Sequence, residues 1–158
     1  MKINLTICGI HELQEHDDKV WTHVVSIWDR DRLDDVTCRK TVKEVAPLAK
    51  TLFCFFDDTE NAEHPFAPRL QDIKRIMKFT ETLPERHKLL VHCRAGVSRS
   101  TATAYAILCQ HSKPGNELEN LMRIELMRDL VMPNRLIIQH ADKVLKREGA
   151  LLLRLLGP

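Results

Sequence analysis

The segment Val91-His92-Cys93-Arg94-Ala95-Gly96-Val97-Ser98-Arg99-Ser100-Thr101 constrains this chain more than any other stretch. Leu89 to His92 is a short apolar run of the kind that forms a buried strand, and Arg99 to His111 reads as a helix. A loop containing Gly96 must turn the chain from one into the other. Backbone N–H groups of a tight strand-to-helix loop converge on one point, and the helix N-terminus adds positive potential there. The segment is therefore expected to cradle an anion such as a phosphoryl group, with Gly96 allowing the loop to curl.

Cys93 opens this loop. The field that holds an anion also favours a thiolate over a thiol, which makes Cys93 the expected nucleophile. Arg99 follows six residues later, where a planar guanidinium can give two parallel hydrogen bonds to phosphoryl oxygens and follow them as they move. Ser100 brings a hydroxyl able to donate to the departing thiolate. The amides of Arg94, Ala95, Gly96, Val97, Ser98 and Arg99 form the expected phosphate-binding set, with Arg94 adding charge at the mouth, and His92 is expected to order the loop from behind. The bland alternative for Cys93 is a small buried hydrophobe, the usual fate of a free cysteine. Context decides against it: the sixth residue after Cys8 is Gln14, after Cys38 Glu44, after Cys54 Glu60 and after Cys109 Gly115, so Cys93 alone has the arginine.

The rest of the chain supplies a frame for that loop. Ile3 to Ile10, Val24 to Trp28, Thr51 to Phe56 and Leu89 to His92 read as strands. Pro68 to Leu83 reads as a helix on the recurrence of Leu70, Ile73, Met77 and their neighbours, with Pro68 in the first turn. Thr41 to Ala49, Arg99 to His111, Glu117 to Leu130 and Asn134 to Arg147 complete the helices, separated by Lys113-Pro114-Gly115-Asn116 and Met132-Pro133. The alternation predicts an α/β fold, a mostly parallel central sheet of about four or five strands flanked by helices, in one domain over residues 1–158. Ligands on such sheets bind beyond the carboxyl ends of the strands, where the Cys93 loop lies. The apolar run Ala150 to Leu156 fits a docking tail, an oligomer contact or a frayed helix end. Trp21 and Trp28 are expected in the core, and Met122, Met127 and Met132 as helix packing.

Charge and cysteine usage narrow the function classes. A formal charge of +2 from nearly balanced acids and bases leaves no basic stripe for nucleic acid, so no such partner is expected. No apolar run approaches the ~18 residues of a membrane span, and the N-terminus does not read as a signal peptide, so a cytoplasmic location is expected. The five cysteines are an odd number without C-x-x-C pairs or Cys/His clusters at zinc spacing, so neither a disulfide framework nor a metal or other cofactor is expected. Cys8, Cys54 and Cys109 are expected in the core.

Attack by a thiolate on a phosphate ester expels an alkoxide or phenoxide, which a nearby carboxylic acid should protonate. Asp57 and Asp58 directly follow the Thr51 to Phe56 strand and so lie at the correct end of the sheet. Asp29, Asp31, Asp34 and Asp35 follow another strand and read as solvated loop charges.

His92-Cys93-Arg94-Ala95-Gly96-Val97-Ser98-Arg99-Ser100 resembles the H-C-x-x-G-x-x-R-S/T signature of the cysteine-based protein tyrosine phosphatase superfamily at every fixed position. The short domain resembles VH1-like dual-specificity phosphatases and compact bacterial tyrosine phosphatase-like proteins, and mid-chain Cys93 separates it from the low-molecular-weight enzymes. The resemblance implies hydrolysis of phosphate monoesters through a phosphocysteine, without metal. It also favours Asp58, which precedes Thr59, as general acid, with Asp57 in reserve. Pro133-Asn134-Arg135 is similar to a family helix start whose asparagine is structural, so Asn134 is given no site role. The loop lacks the lysines of phosphoinositide phosphatases, and Tyr105 is the sole tyrosine, so a shallow pocket for phosphotyrosine, phosphoserine and phosphothreonine in proteins is expected. Small phosphate esters, a non-catalytic phosphate-binding module and a rhodanese-like sulfurtransferase are the alternatives.

Overall fold

A computed structural model of the chain describes residues 1–17, 20–31 and 35–157. Asp34 and the side chain of Asp35, both read above as solvated charges, lie outside the described residues. Strands β1 (Leu5–Gly9), β2 (His23–Trp28), β3 (Lys50–Phe55) and β4 (Leu89–Cys93) form one sheet in the order β1-β4-β2-β3, and every pairing is parallel. Parallel pairing has one decisive consequence. Gly9, Asp29, Asp57 and Cys93, though far apart in sequence, follow or end strands at the same edge of the sheet.

Side chains alternate across a strand, so β4 sends Leu89, Val91 and Cys93 to one face and Leu90 and His92 to the other. The first face packs under α2 (Leu70–Thr80), α3 (Arg99–Gln110), α4 (Glu117–Met127), α5 (Arg135–Leu145) and α6 (Ala150–Leu155), where Ile73, Ile76, Tyr105, Ile107, Ile124 and Ile137 are fully or almost fully buried. The second is covered by α1 (Asp35–Val45) and a 3₁₀ segment, Ile10–His16, through Leu13, Cys38, Val42 and Val45. Trp21 and Trp28 belong to this second core, as expected.

Several boundaries differ from the sequence reading, each for a local reason. The first strand stops at Gly9, whose N–H is taken by Glu12 Oε1 at 3.1 Å, and the chain turns into the 3₁₀ segment. Helix α1 begins well before Thr41, because Cys38 joins Val42 and Val45 on one buried face. Pro68 stands outside α2, which Arg69 caps with its N–H donated to Asp72 Oδ2 at 2.8 Å. Helix α4 ends at Met127 instead of Leu130, since Arg128 is extended. Met122 and Met132 are exposed, correcting their assignment to helix packing. The Ala150 run is a helix docked on its own chain: Leu151 is fully buried and its N–H and that of Gly149 are both taken by the Asp142 carboxylate.

Candidate active site

The carboxyl ends of the strands open into a cleft of about 1250 Å³ with Cys93, the loop after it, Asp58 and Arg99 in its lining. The loop owes its shape to how its carbonyls are fastened. Arg94 O accepts from Ile10 N at 2.9 Å, Gly96 O from Arg128 Nε at 3.0 Å, Val97 O from Met132 N at 3.0 Å and Ser98 O from Asn134 N at 3.2 Å. In a planar trans peptide the C=O and the following N–H point in opposite directions. Tying the carbonyls outward therefore turns the following amides inward, and in the Ala95–Gly96 peptide, whose carbonyl lies 3.4 Å from Arg128 Nη2, the Gly96 N–H points at Cys93 Sγ, 3.3 Å away.

Two glycines make this packing possible. Gly96 has φ +71°, and a Cβ there would lie 2.7 Å from the Cys8 carbonyl carbon and from Gly9 N. A Cβ on Gly9 would come within 2.9 Å of Arg94 O. Beneath the loop, Arg128 also pairs with Glu12 through two bonds of 2.6 and 2.7 Å. Hydrogen bonding to Arg128 holds the Glu12 carboxyl below the usual carboxylate range despite its partial burial.

Cys93 Sγ lies 3.1 Å from Ser100 Oγ, so a thiolate there is within reach of that hydroxyl. Behind the loop His92 is fully buried. Its Nε2 lies 2.7 Å from Ser26 Oγ, which accepts from Trp28 Nε1, and its Nδ1 lies 3.3 Å from Cys93 O. With the Nδ1–H donated to the carbonyl, Nε2 accepts from Ser26 and every group in the chain is satisfied. Burial pushes the imidazole down to about 4, so it stays neutral, as a structural support should.

Arg99 is 3% exposed. Its Nη1 donates to Phe56 O at 2.8 Å and pairs with Asp29 Oδ1 at 2.7 Å, whereas the buried Nε has no partner. Nη1 is thus clamped, while the Nε keeps an unused hydrogen-bond donor. Asp29 Oδ2 lies 3.6 Å from Arg94 Nη1, so this carboxylate links both arginines. The reading of Asp29 as a solvated charge is corrected: parallel pairing of β2 with β4 brings it to the floor of the site.

The acids after β3 separate by geometry. Asp58 faces the loop, with Oδ1 accepting from Ser98 Oγ at 2.7 Å and from Asn134 Nδ2 at 2.9 Å. Asp57 lines the cleft too, but it accepts from Arg30 N at 2.9 Å, away from the loop, while its own N–H donates to Phe66 O. Asn134 is the N-cap of α5, accepting from Ile137 N, as its resemblance to a helix start implied. It also holds Asp58, a contact that sequence reasoning missed. Its position beside a proline gave the cap but not the second contact, and Arg128 and Glu12 carried no local signal at all.

Burial raises the Cys8 and Cys54 thiols to about 12 and Cys109 to about 11, leaving them inert packing groups. Among the described residues no cluster of His, Cys, Asp and Glu could hold a metal ion, and no helix is long and apolar enough to cross a membrane.

Among solved structures the chain is similar to Tk-PTP in its active form, at 19% identity over 92% of this chain and 94% of that one with a TM-score of 0.60. It is likewise similar to human DUSP28, at 17% identity, 95% and 94% coverage and TM-score 0.63, and to DUSP15, at 19%, 99% and 93% and TM-score 0.63. The chain has the dual-specificity phosphatase fold. No family model matches it, and no curated protein matches it by sequence. The dual-specificity phosphatase fold spans nearly the whole chain, and the expected α/β class with a parallel sheet is the one found, with four strands.

Proposed function

We propose that this chain is a cysteine-dependent phosphatase that hydrolyses phosphate monoesters in proteins, phosphotyrosine first and phosphoserine and phosphothreonine with it. The observation that carries this reading is Arg99: a buried guanidinium with an unpartnered Nε, in the same loop as the Gly96 amide turned toward the Cys93 sulfur. An unpaired buried donor costs free energy unless a ligand satisfies it. The names of the solved structures sharing the fold, human DUSP28 and Tk-PTP among them, are consistent with it.

In the proposed reaction the Cys93 thiolate attacks phosphorus and a P–S bond forms as the ester P–O bond breaks. Asp58 gives its proton to the leaving oxygen. Arg99 and the amides of residues 94–99 bind the equatorial oxygens and stabilise charge where it develops. Water then attacks the phosphocysteine, Asp58 takes the water's proton, and Ser100 donates a hydrogen bond to the departing thiolate. Asp57 supports the loop and has no part in proton transfer.

Hydrolysis of para-nitrophenyl phosphate, in chelator and reducing agent across pH 5 to 8, tests the reading. Turnover is expected in the wild type and is lost by about 10³-fold or more in Cys93→Ser, while inorganic phosphate still binds. A folded wild type that binds phosphate without turnover would make the chain a phosphate-binding module, and sulfur transfer from thiosulfate in its place would make it a sulfurtransferase.

A further inference from the structure

We propose that this cleft selects monophosphorylated protein segments in which apolar and basic residues flank the phosphorylated side chain, and that it rejects polyanionic substrates. The inference rests on the phosphatase reading and concerns what that same site accepts.

At the floor of the cleft positive charge comes from the loop amides and the buried Arg99. There the loop amides and the unpartnered Arg99 Nε suit a single phosphoryl group, and Asp29 already pairs with Arg99. Toward the mouth the two arginines of the lining each have a carboxylate nearby: Arg94 has Asp29 at 3.6 Å and Arg135 has Glu60 at 4.0 Å. Asp31, Asp57 and Asp58 line the same cleft and have no cationic side chain paired with them among the described residues. Five carboxylates (Asp29, Asp31, Asp57, Asp58 and Glu60) against three arginines line the cleft, so a second phosphate, or a carboxylate beside the phosphorylated residue, would meet net negative charge. A lysine or arginine there would meet complementary charge.

The same lining also carries apolar groups. Leu130, Val131, Met132, Pro133 and Leu155 belong to it, and Leu130 and Met132 are 56% and 63% exposed. A sugar or inositol ring bearing several phosphates has nothing to bury on this surface, whereas an apolar side chain next to the phosphorylated residue does. The lining thus offers both apolar groups and carboxylates without a cationic partner, and a peptide carrying apolar and basic residues around a single phosphate satisfies the two together.

Two phosphotyrosine peptides of equal length, one flanked by Lys and Leu and one by Asp and Glu, decide the matter. At low salt the basic peptide should show a kcat/KM about tenfold higher, the sum of two exposed charge pairs of a few tenths to one kcal/mol each. The ratio should shrink as salt is raised to ~0.15 M, where screening reaches about 8 Å. The double variant Asp31→Lys/Glu60→Lys, altered at exposed positions, should bring the ratio to unity or reverse it. Equal rates on both peptides, or preference for the acidic one, with para-nitrophenyl phosphate turnover intact, would overturn the inference and leave the phosphatase reading standing. Absence of all turnover in a folded wild type would overturn that reading instead. The affinities of the two peptides for Cys93→Ser, measured by fluorescence anisotropy, would then still decide the inference, with equal affinities sinking it.

Discussion

The phosphate loop and the acid loop face each other across one cleft and are held in opposite ways. Residues 93–99 are fixed through their backbone: carbonyls fastened to Ile10, Met132, Asn134 and Arg128, and glycines packed against neighbouring main chain. The carboxylate of Asp58 is exposed and is fixed by two side chains, Ser98 and Asn134. The difference matches the tasks. An anion of fixed shape is best bound by a preorganised backbone, whereas a proton donor needs one group placed well and a route to solvent. Damage to the first should cost stability and activity together; damage to the second should cost activity alone.

The sharpest way to break that contrast is Gly96→Ala. The left-handed conformation costs a non-glycine residue roughly 1–2 kcal/mol, and the new Cβ would meet main-chain atoms at 2.7 Å, which cannot move aside as a flexible side chain could. A loss of about 4 kcal/mol in urea unfolding is expected, with para-nitrophenyl phosphate turnover lost alongside. A variant as stable as the wild type would show that the loop is not locked by its backbone.

His92 ties the loop to the core and gives the next effect, read as a pH dependence. Its folded pKa, about 4, lies below its ordinary value of 6.5 because burial disfavours the imidazolium. Between those values the unfolded chain binds a proton that the native chain does not, so stability falls as pH falls from about 6.5 toward 4. At about 1.4 kcal/mol per unit the full loss is roughly 3–4 kcal/mol. His92→Asn lacks this contribution, so its stability should decline less steeply over the same window in denaturant titrations at each pH. His23 and His140 are shifted down by burial as well and remain in both proteins, so the difference isolates His92. Parallel slopes would mean that His92 is not held neutral.

What could be read in the sequence follows the same division between local and distant. The loop was legible because Cys93, Gly96, Arg99 and Ser100 lie within one contiguous turn, where spacing and geometry are nearly the same thing. Asp58 was legible because it directly follows a strand. Strand pairing was not: nothing local says that β4 inserts between β1 and β2, and that insertion brings Gly9 under the loop and Asp29 against Arg99. Arg128 and Glu12 are 116 residues apart and meet beneath the loop only after folding. Of the helices, α2 is clear from its strong periodicity, while α1 starts before the expected Thr41, with Cys38 on its buried face.

The acid loop gives the two smaller tests. Asp58→Asn should leave stability within about 0.5 kcal/mol, as for most exposed substitutions. It should slow phenyl phosphate, with its poor leaving group, about a hundredfold and para-nitrophenyl phosphate far less. An equal loss on both would transfer the acid role to Asp57 or elsewhere.

Asn134 then separates positioning from capping, because one side chain serves both. Its Oδ1 accepts from Ile137 N at the start of α5, and its Nδ2 donates to Asp58 at 2.9 Å and to Thr59 O at 3.1 Å. Serine is as good an N-cap as asparagine, but its shorter side chain cannot also reach Asp58. Asn134→Ser should therefore keep the stability of the wild type while slowing phenyl phosphate about tenfold, the loss expected for one charge-assisted hydrogen bond. Asn134→Ala should show the same kinetic loss with about 1 kcal/mol of stability removed in addition. Since the serine variant leaves Cys93 and Arg99 untouched, its para-nitrophenyl phosphate rate should change little, and that split between leaving groups is what a purely structural role would not produce. A serine variant that hydrolyses both esters at the wild-type rate would show that Ser98 alone suffices to hold the proton donor.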